Sequence, residues 1–260
     1  MPRLLHSVVA VAMVLGGSAT LRADLRISES VASTVKDRTI QAVRSTHIKG
    51  IRMRLEQVQG DRSSVTLYDL PGGTMAELDY KKKRAQIRDI ATRHAQLEKE
   101  FPHEQVTVDV APTGATKTLA GLPCEEYAFA IKVPLTKDRE TALSLIGAAW
   151  IAKSAPGADD YRTFVQAAIE SQLVIGFASD DALALAVTRA QTEMYRALGT
   201  APGIPYLIET AMKVDGKGMF AGMLNKVASV KRTSTVTNVA VEPLADAAFA
   251  IPDDWKREKK

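Results

Sequence analysis

The stretch EYAFAIKV, residues 126–133, decides the fold. Tyr127, Phe129, Ile131 and Val133 alternate with Glu126, Ala128, Ala130 and Lys132. Successive side chains along a strand point to opposite faces, so this period of two predicts a strand with one face buried and one face wet. The same rhythm recurs on both sides of it. Ile51, Met53 and Leu55 alternate with Arg52, Arg54 and Glu56, and Val106, Val108 and Val110 alternate with Thr107 and Asp109. Ile208, Thr210, Met212 and Val214 repeat it, as do residues 233–241. Half-wet strands are the mark of antiparallel sheets. Pro71-Gly72-Gly73 and Asp215-Gly216 supply hairpin chemistry, and short connections predict a meander.

Between the strands the period changes to that of a helix. Asp159-Asp160 opens a segment in which Tyr161, Phe164, Val165, Ala168, Ile169 and Leu173 recur at helical spacing, with Gly176 placed to close it. A second helix follows. Ser179 is read as its N-cap with Asp180 and Asp181 in the first turn, and Leu183, Ala186, Val187, Ala190, Met194, Ala197 and Leu198 form one apolar stripe ended by Gly199 and Pro202. A shorter, charged helix over residues 91–100 is expected on the surface. The architecture is therefore α+β, a curved antiparallel sheet with helices inserted against one face.

The start of the chain predicts export. Arg3 is the only charged side chain before the apolar run of residues 4–15, and Gly16, Gly17, Ser18 and Ala19 break that run ahead of Ala23. This is the order of a cleavable signal peptide, residues 1–23, with cuts after Ala23 and after Ala19 both open. The run falls short of the ~20 apolar residues that a membrane span needs. No cysteine follows it to carry a lipid, so residues 24–260 are expected as one domain in the periplasm, or in the medium.

Of the 34 basic and 30 acidic residues, the leader takes Arg3 and Arg22 and no acid, leaving 32 against 30. So balanced a charge argues against nucleic acid as a partner. The basic groups at residues 81–84 and 256–260 are read as a solvated turn and tail, with peripheral contact to anionic lipid as the alternative. Cys124 is single, which precludes an internal disulfide, and it is expected to be a buried small hydrophobe.

Motifs for chemistry are absent or incomplete. His47, His94 and His103 share no metal-ligand spacing, so no metal is expected. Ser33-Thr34-Val35-Lys36 has the Ser-x-x-Lys spacing of penicillin-recognising enzymes without its partner motifs. Gly216 to Ala221 mimics a dinucleotide fingerprint but lacks a βαβ unit, and is read as a hairpin turn. Glu125 and Glu126 point to opposite strand faces and do not form an acid–base pair. No enzyme activity and no cofactor is expected.

Thr116-Lys117-Thr118-Leu119-Ala120-Gly121, then Cys124-Glu125 and Tyr127, resemble the signature of an exported bacterial family, domain of unknown function 4412. Trp150-Ile151-Ala152-Lys153, Pro202-Gly203-Ile204-Pro205 and Phe249-Ala250-Ile251-Pro252 are similar to its later markers, while Asp254 stands where a glycine precedes the aromatic residue in that pattern. That family looks like a relative of the lipoprotein carriers LolA and LolB. The resemblance implies a half-open β-barrel with helices as a lid on its concave face, and an apolar cavity beneath them.

A curved sheet around an apolar helical pair can be packed solid or can leave a cleft, and the pattern is the same in both cases. The cleft reading places Phe164, Val165, Ile169, Leu183, Val187 and Met194 on its walls. Its ligand would be a lipid, the acyl chain of an acylated protein or another apolar molecule, carried or sensed by a monomer. The alternative is a ligand-free envelope module that acts through its surface.

Overall fold

The computed structural model describes residues 24–136, 140–176 and 181–259. The expected signal peptide, and Ser179 and Asp180 of the expected helix cap, lie outside them. The described strands form one 12-stranded sheet, large, curved and unclosed. Two meanders build it. β1 (Asp24–Val35), β2 (Arg38–Lys49), β3 (Arg52–Gln59), β4 (Arg62–Asp69), β5 (Thr74–Asp79) and β6 (Arg84–Asp89) lie side by side in chain order. So do β7 (Thr107–Leu119), β8 (Leu122–Pro134), β9 (Ala142–Ala152), β10 (Ile204–Asp215) and β11 (Val230–Glu242). β1 and β11 join the two antiparallel, from Asp24↔Glu242 to Val35↔Val230, with a register shift at Ser28/Glu29.

The alternation that predicts β8 is realised in its burial. Phe129, Ile131 and Val133 are buried, while Ala128 and Lys132 are exposed. The hairpin at Pro71 to Gly73 forms as expected, with Gly73 at φ 62°, in the left-handed region that glycine enters without a Cβ clash. A second glycine serves space rather than conformation. A Cβ on Gly147 in β9 would stand 1.9 Å from the Glu209 carbonyl oxygen of β10 and 2.8 Å from the Phe129 ring of β8.

Two expectations at the end of the chain are corrected. Asp215-Gly216 does not turn a hairpin, because α4 (Gly218–Ala228) stands between β10 and β11. Ala221, Leu224 and Ala228 pack it inward, and the Asn225 side-chain oxygen accepts from the Val214 N–H at 3.0 Å. Glycines at 218 and 222, poor helix formers, hide this helix from a reading by propensity. The basic tail is not simply solvated, since β12 (Lys256–Lys259) pairs in parallel with β6. Trp255 meets the Tyr80 ring edge-on at 4.8 Å, and the Lys83 ammonium lies 2.9 Å from Asp254, so the segment before β12 is tied to the β5–β6 turn.

The helices close over one region of the sheet. α1 (Ile90–Glu100) begins at Asp89, whose carboxylate accepts from the Thr92 N–H at 2.7 Å. Contrary to a purely surface placement, its Ile90 and Leu97 are buried, since the helix docks on β6 and on α3. α2 (Ala158–Glu170) packs against β1 and β2. Gln172 at φ 54°, not Gly176, makes the left-handed step after it. α3 (Ala182–Leu198) is capped by Asp181, whose carboxylate accepts from the Ala184 N–H, and it lies across β7, β8 and β9. Its Leu185, Ala186, Ala190, Met194 and Leu198 are buried there, a leucine or methionine contributing about 1.5–3 kcal/mol each.

Candidate functional site

A cavity of about 160 Å³ lies between the sheet and the helices. Ile27, Met53 and Leu55 floor it from β1 and β3, with Tyr68 from β4 and Ile204 and Ile208 from β10. Phe164, Val165, Ala168 and Ile169 of α2 and the following Leu173 and Ile175 form its apolar wall. Space of this size in an apolar setting is comparable to the ~150 Å³ cavity that accepts a benzene-sized molecule.

The six residues expected on a cleft wall divide by helix. Phe164, Val165 and Ile169 line the cavity. Leu183, Val187 and Met194 do not; they belong to the core between α3 and β7–β9, so for these three the cleft placement is corrected. The apolar stripe of α3 faces the sheet, which turns its other face, Arg189, Thr192, Glu193 and Arg196, toward the cavity and α1. These residues follow i, i+3, i+4 and i+7 spacing, one side of the helix. Charged side chains opposite an apolar stripe are ordinarily the solvated side of an amphipathic helix. Arg189 and Glu193 are instead 1% and 2% exposed.

Charged groups gather at two places on the wall. In the first, Arg44 of β2 faces Glu29 of β1, with its Nε 2.6 Å from one carboxylate oxygen and its Nη2 2.7 Å from the other. The Ser234 hydroxyl of β11 completes the triad, donating to Glu29 at 2.8 Å and accepting from Arg44 at 3.0 Å. Burial acts to raise the Glu29 pKa, but Arg44 and Ser234 outweigh it and hold the carboxyl below its ordinary value. Burial likewise acts to lower Arg44, while Tyr195 and Glu29 raise it further, so this pair stays charged. Arg232 stands behind it. Burial, then repulsion from Arg44, lowers its pKa. Burial also lifts the Tyr68 hydroxyl to about 12 and raises Tyr161, so both are neutral.

In the second group, Arg189 donates to Glu98 of α1 at 2.7 Å and lies 3.3 Å from Glu193. His103 Nδ1 is 3.3 Å from Glu193, and His94 Nε2 is 3.4 Å from Glu98. Burial lowers the His94 pKa, which keeps it neutral near pH 7. Burial acts to raise Glu98, but the His103 backbone N–H and Arg189 hold it below its ordinary value. The Arg189 Nε–H has no acceptor. The histidines approach carboxylates rather than each other, and no cluster of three or more metal-ligating side chains occurs among the described residues.

Cys124 is 1% exposed in the core beside Ala152 and Tyr206, and burial raises its pKa. Glu125 and Glu126 part as expected, Glu125 to Lys153 at 2.8 Å and Glu126 to the Thr113 hydroxyl at 2.7 Å. Ser33 lies in β1, and Lys36 occupies the β1–β2 turn at φ 54°. Among the described residues no helix is long and apolar enough to cross a membrane.

No family model and no curated sequence matches the chain, so membership in the family that the Thr116 to Tyr127 segment resembles is not shown. Among solved structures the chain is similar to an uncharacterised conserved protein from Thermus thermophilus, at 10% identity over 92% of both chains with a TM-score of 0.41. It is similar as well to a DUF1329 family protein from Desulfovibrio piger, at 10% identity over 89% of this chain and 91% of that one, TM-score 0.32. A putative outer membrane lipoprotein-sorting protein domain from Vibrio parahaemolyticus aligns at 8% identity over 87% and 89%, TM-score 0.31. Likenesses this slight carry no argument, and the architecture rests on the strand pairing itself.

Proposed function

We propose that this protein is an exported envelope binding protein, a carrier or sensor and not an enzyme. It holds an apolar molecule in the cavity under α2 and α3, which serve as its lid on the concave face of the sheet. The observation that carries this reading is the apolar wall contributed jointly by β1, β3, β10 and α2 around space that no side chain fills. The signal-like start and the resemblance to the exported family support a periplasmic, monomeric carrier related to LolA and LolB. The cavity as it stands takes a ring or a short chain. A full acyl chain from a lipid or an acylated protein requires α2 to move away from β1 and β2. Mass spectrometry of organic extracts, from protein purified out of its native periplasm, tests the proposal. A stoichiometric apolar compound is expected, and a protein that stays blind to every apolar probe after extraction overturns it.

A surface role rests on a different observation. Met219 and Met223, one turn apart on α4, are 90% and 59% exposed. If that face, rather than the cavity, is what works, binding of a partner will survive substitutions that fill the cavity.

A further inference from the structure

We infer that the cavity is built for an acid, an amphiphile with a small apolar body and one carboxylate, and that Arg189 and Arg196 receive the carboxylate. The inference rests on the cavity being a binding site, as proposed above, and names the class of its ligand.

Charge on the wall is uneven in a way that structural pairing does not account for. Glu29 is committed to Arg44 by two hydrogen bonds. Glu98 and Glu193 both converge on Arg189. Nothing acidic remains for Arg196, which lines the cavity and makes no ion pair among the described residues. Arg232, behind Arg44, likewise makes none there. On the lining itself Arg44, Arg189 and Arg196 stand against Glu29 and Glu193, with Arg232 and Glu98 outside it, on a wall that also carries Thr46, His94, Gln172 and Thr192 beside its apolar side chains.

The second observation is an unused donor. Arg189 is 1% exposed and lines the cavity, yet its Nε and Nη2 make no hydrogen bond, and neither does Glu193 Oε1, 3.3 Å from that Nη2. A guanidinium this deep is expected to have its donors used, because a buried charged group left short of partners is costly. An oxygen anion in the cavity would take the free Nε–H of Arg189 and the unpaired charge of Arg196, about two helical turns further along the same face of α3. A cation would add to the excess, and a neutral alcohol would accept a hydrogen bond without meeting the charge. The apolar wall from α2 then covers the remainder of the ligand, whose bulk is set by the cavity volume of about 160 Å³.

Octanoate, octan-1-ol and octylamine share one chain and differ in the head group, so their affinities for protein stripped of bound lipid, measured by calorimetry, separate the possibilities. The inference expects octanoate to bind about tenfold more tightly than octan-1-ol, and octylamine more weakly than either. Arg196→Gln, at a half-exposed position, should abolish the preference of acid over alcohol while leaving the alcohol affinity and the melting temperature unchanged. Arg189→Lys, which keeps the charge but not the fork of donors, should reduce it. Equal binding of acid and alcohol overturns the inference and leaves the apolar cavity standing. Failure of both to bind overturns the cavity reading along with it. An acid preference that survives in Arg196→Gln and in Arg189→Lys also overturns the assignment to these residues.

Discussion

Arg44 and Glu29, opposite each other on neighbouring strands, form a two-pronged pair at 2.6 and 2.7 Å whose side chains are 11% and 10% exposed. The pair sits under the helices, where the sheet would otherwise present apolar side chains, and Ser234 from the other meander ties it to β11. It thus fastens β1, β2 and β11 at the junction of the two halves.

Removing one partner leaves the other charge stranded, so Glu29→Gln is expected to lower stability by about 3 kcal/mol at pH 7. Glu29 is held below its ordinary pKa, 4.5. Its contribution is therefore fully present above that value and is lost as pH falls through the folded-state pKa. Denaturant melts of wild type and variant should differ most at neutral pH and converge as the solution is acidified below pH 4.5. A gap that stays constant from neutral pH down into the acid range would contradict the pairing.

Cys124 follows a proline in β8, is 1% exposed and has its thiol pKa raised by burial. A thiolate reacts and a buried thiol does not. A disulfide-forming reagent should leave the native protein unlabelled for hours and label it at once in denaturant. Rapid native labelling would mean that the strand opens locally.

Gly147 is fixed by its neighbours rather than by its backbone angles. A methyl group there would overlap the Glu209 carbonyl of β10 and press on the Phe129 ring of β8. Gly147→Ala should cost about 3 kcal/mol, at the upper end of what overpacking takes, and should appear as a fall in melting temperature. Phe129→Leu in the same background relieves only the ring contact, so it should recover part of that loss and not all of it.

The strands legible in the sequence are those with long apolar alternation, β3, β7, β8, β10 and β11, because each has one face in water. β1 and β2 carry that signal only in broken form, Leu25, Ile27 and Val31 of β1 being interrupted by Glu29. Their buried face holds Glu29, Arg44 and Thr46 among apolar residues, and a charged pair inside the protein looks on paper like two positions outside it. α3 is legible on one side only. Its stripe from Leu183 to Leu198 identifies the helix, yet a single sequence does not tell which covered surface a stripe faces. The stripe reads as a cleft wall, while in the fold the sheet takes it and the cavity takes Arg189 and Glu193. α2 reads correctly in its start and its apolar face, though it ends at Glu170 rather than at Gly176, and three of its expected residues reach the cavity, because both its floor and its wall are apolar.

That division of the two helices yields the sharpest contrast. Ile169 on α2 lines the cavity and is half-buried, whereas Val187 on α3 is also partly buried but packs against the core over β7–β9. Truncating either to alanine removes apolar atoms from contact, at about 1–2 kcal/mol for Ile169 and about 1 kcal/mol for Val187, given that neither is fully enclosed. Their effects on stability should thus be similar, and a melting curve alone will not separate them. Binding will. Ile169→Ala enlarges the cavity and should shift preference from octanoate toward a longer chain, while Val187→Ala opens space elsewhere and should leave the preference of the wild type unchanged. Titration of both variants with a series of acids differing only in chain length checks this. A shift in Val187→Ala equal to that in Ile169→Ala would show that ligand lies along the α3 stripe instead of under α2.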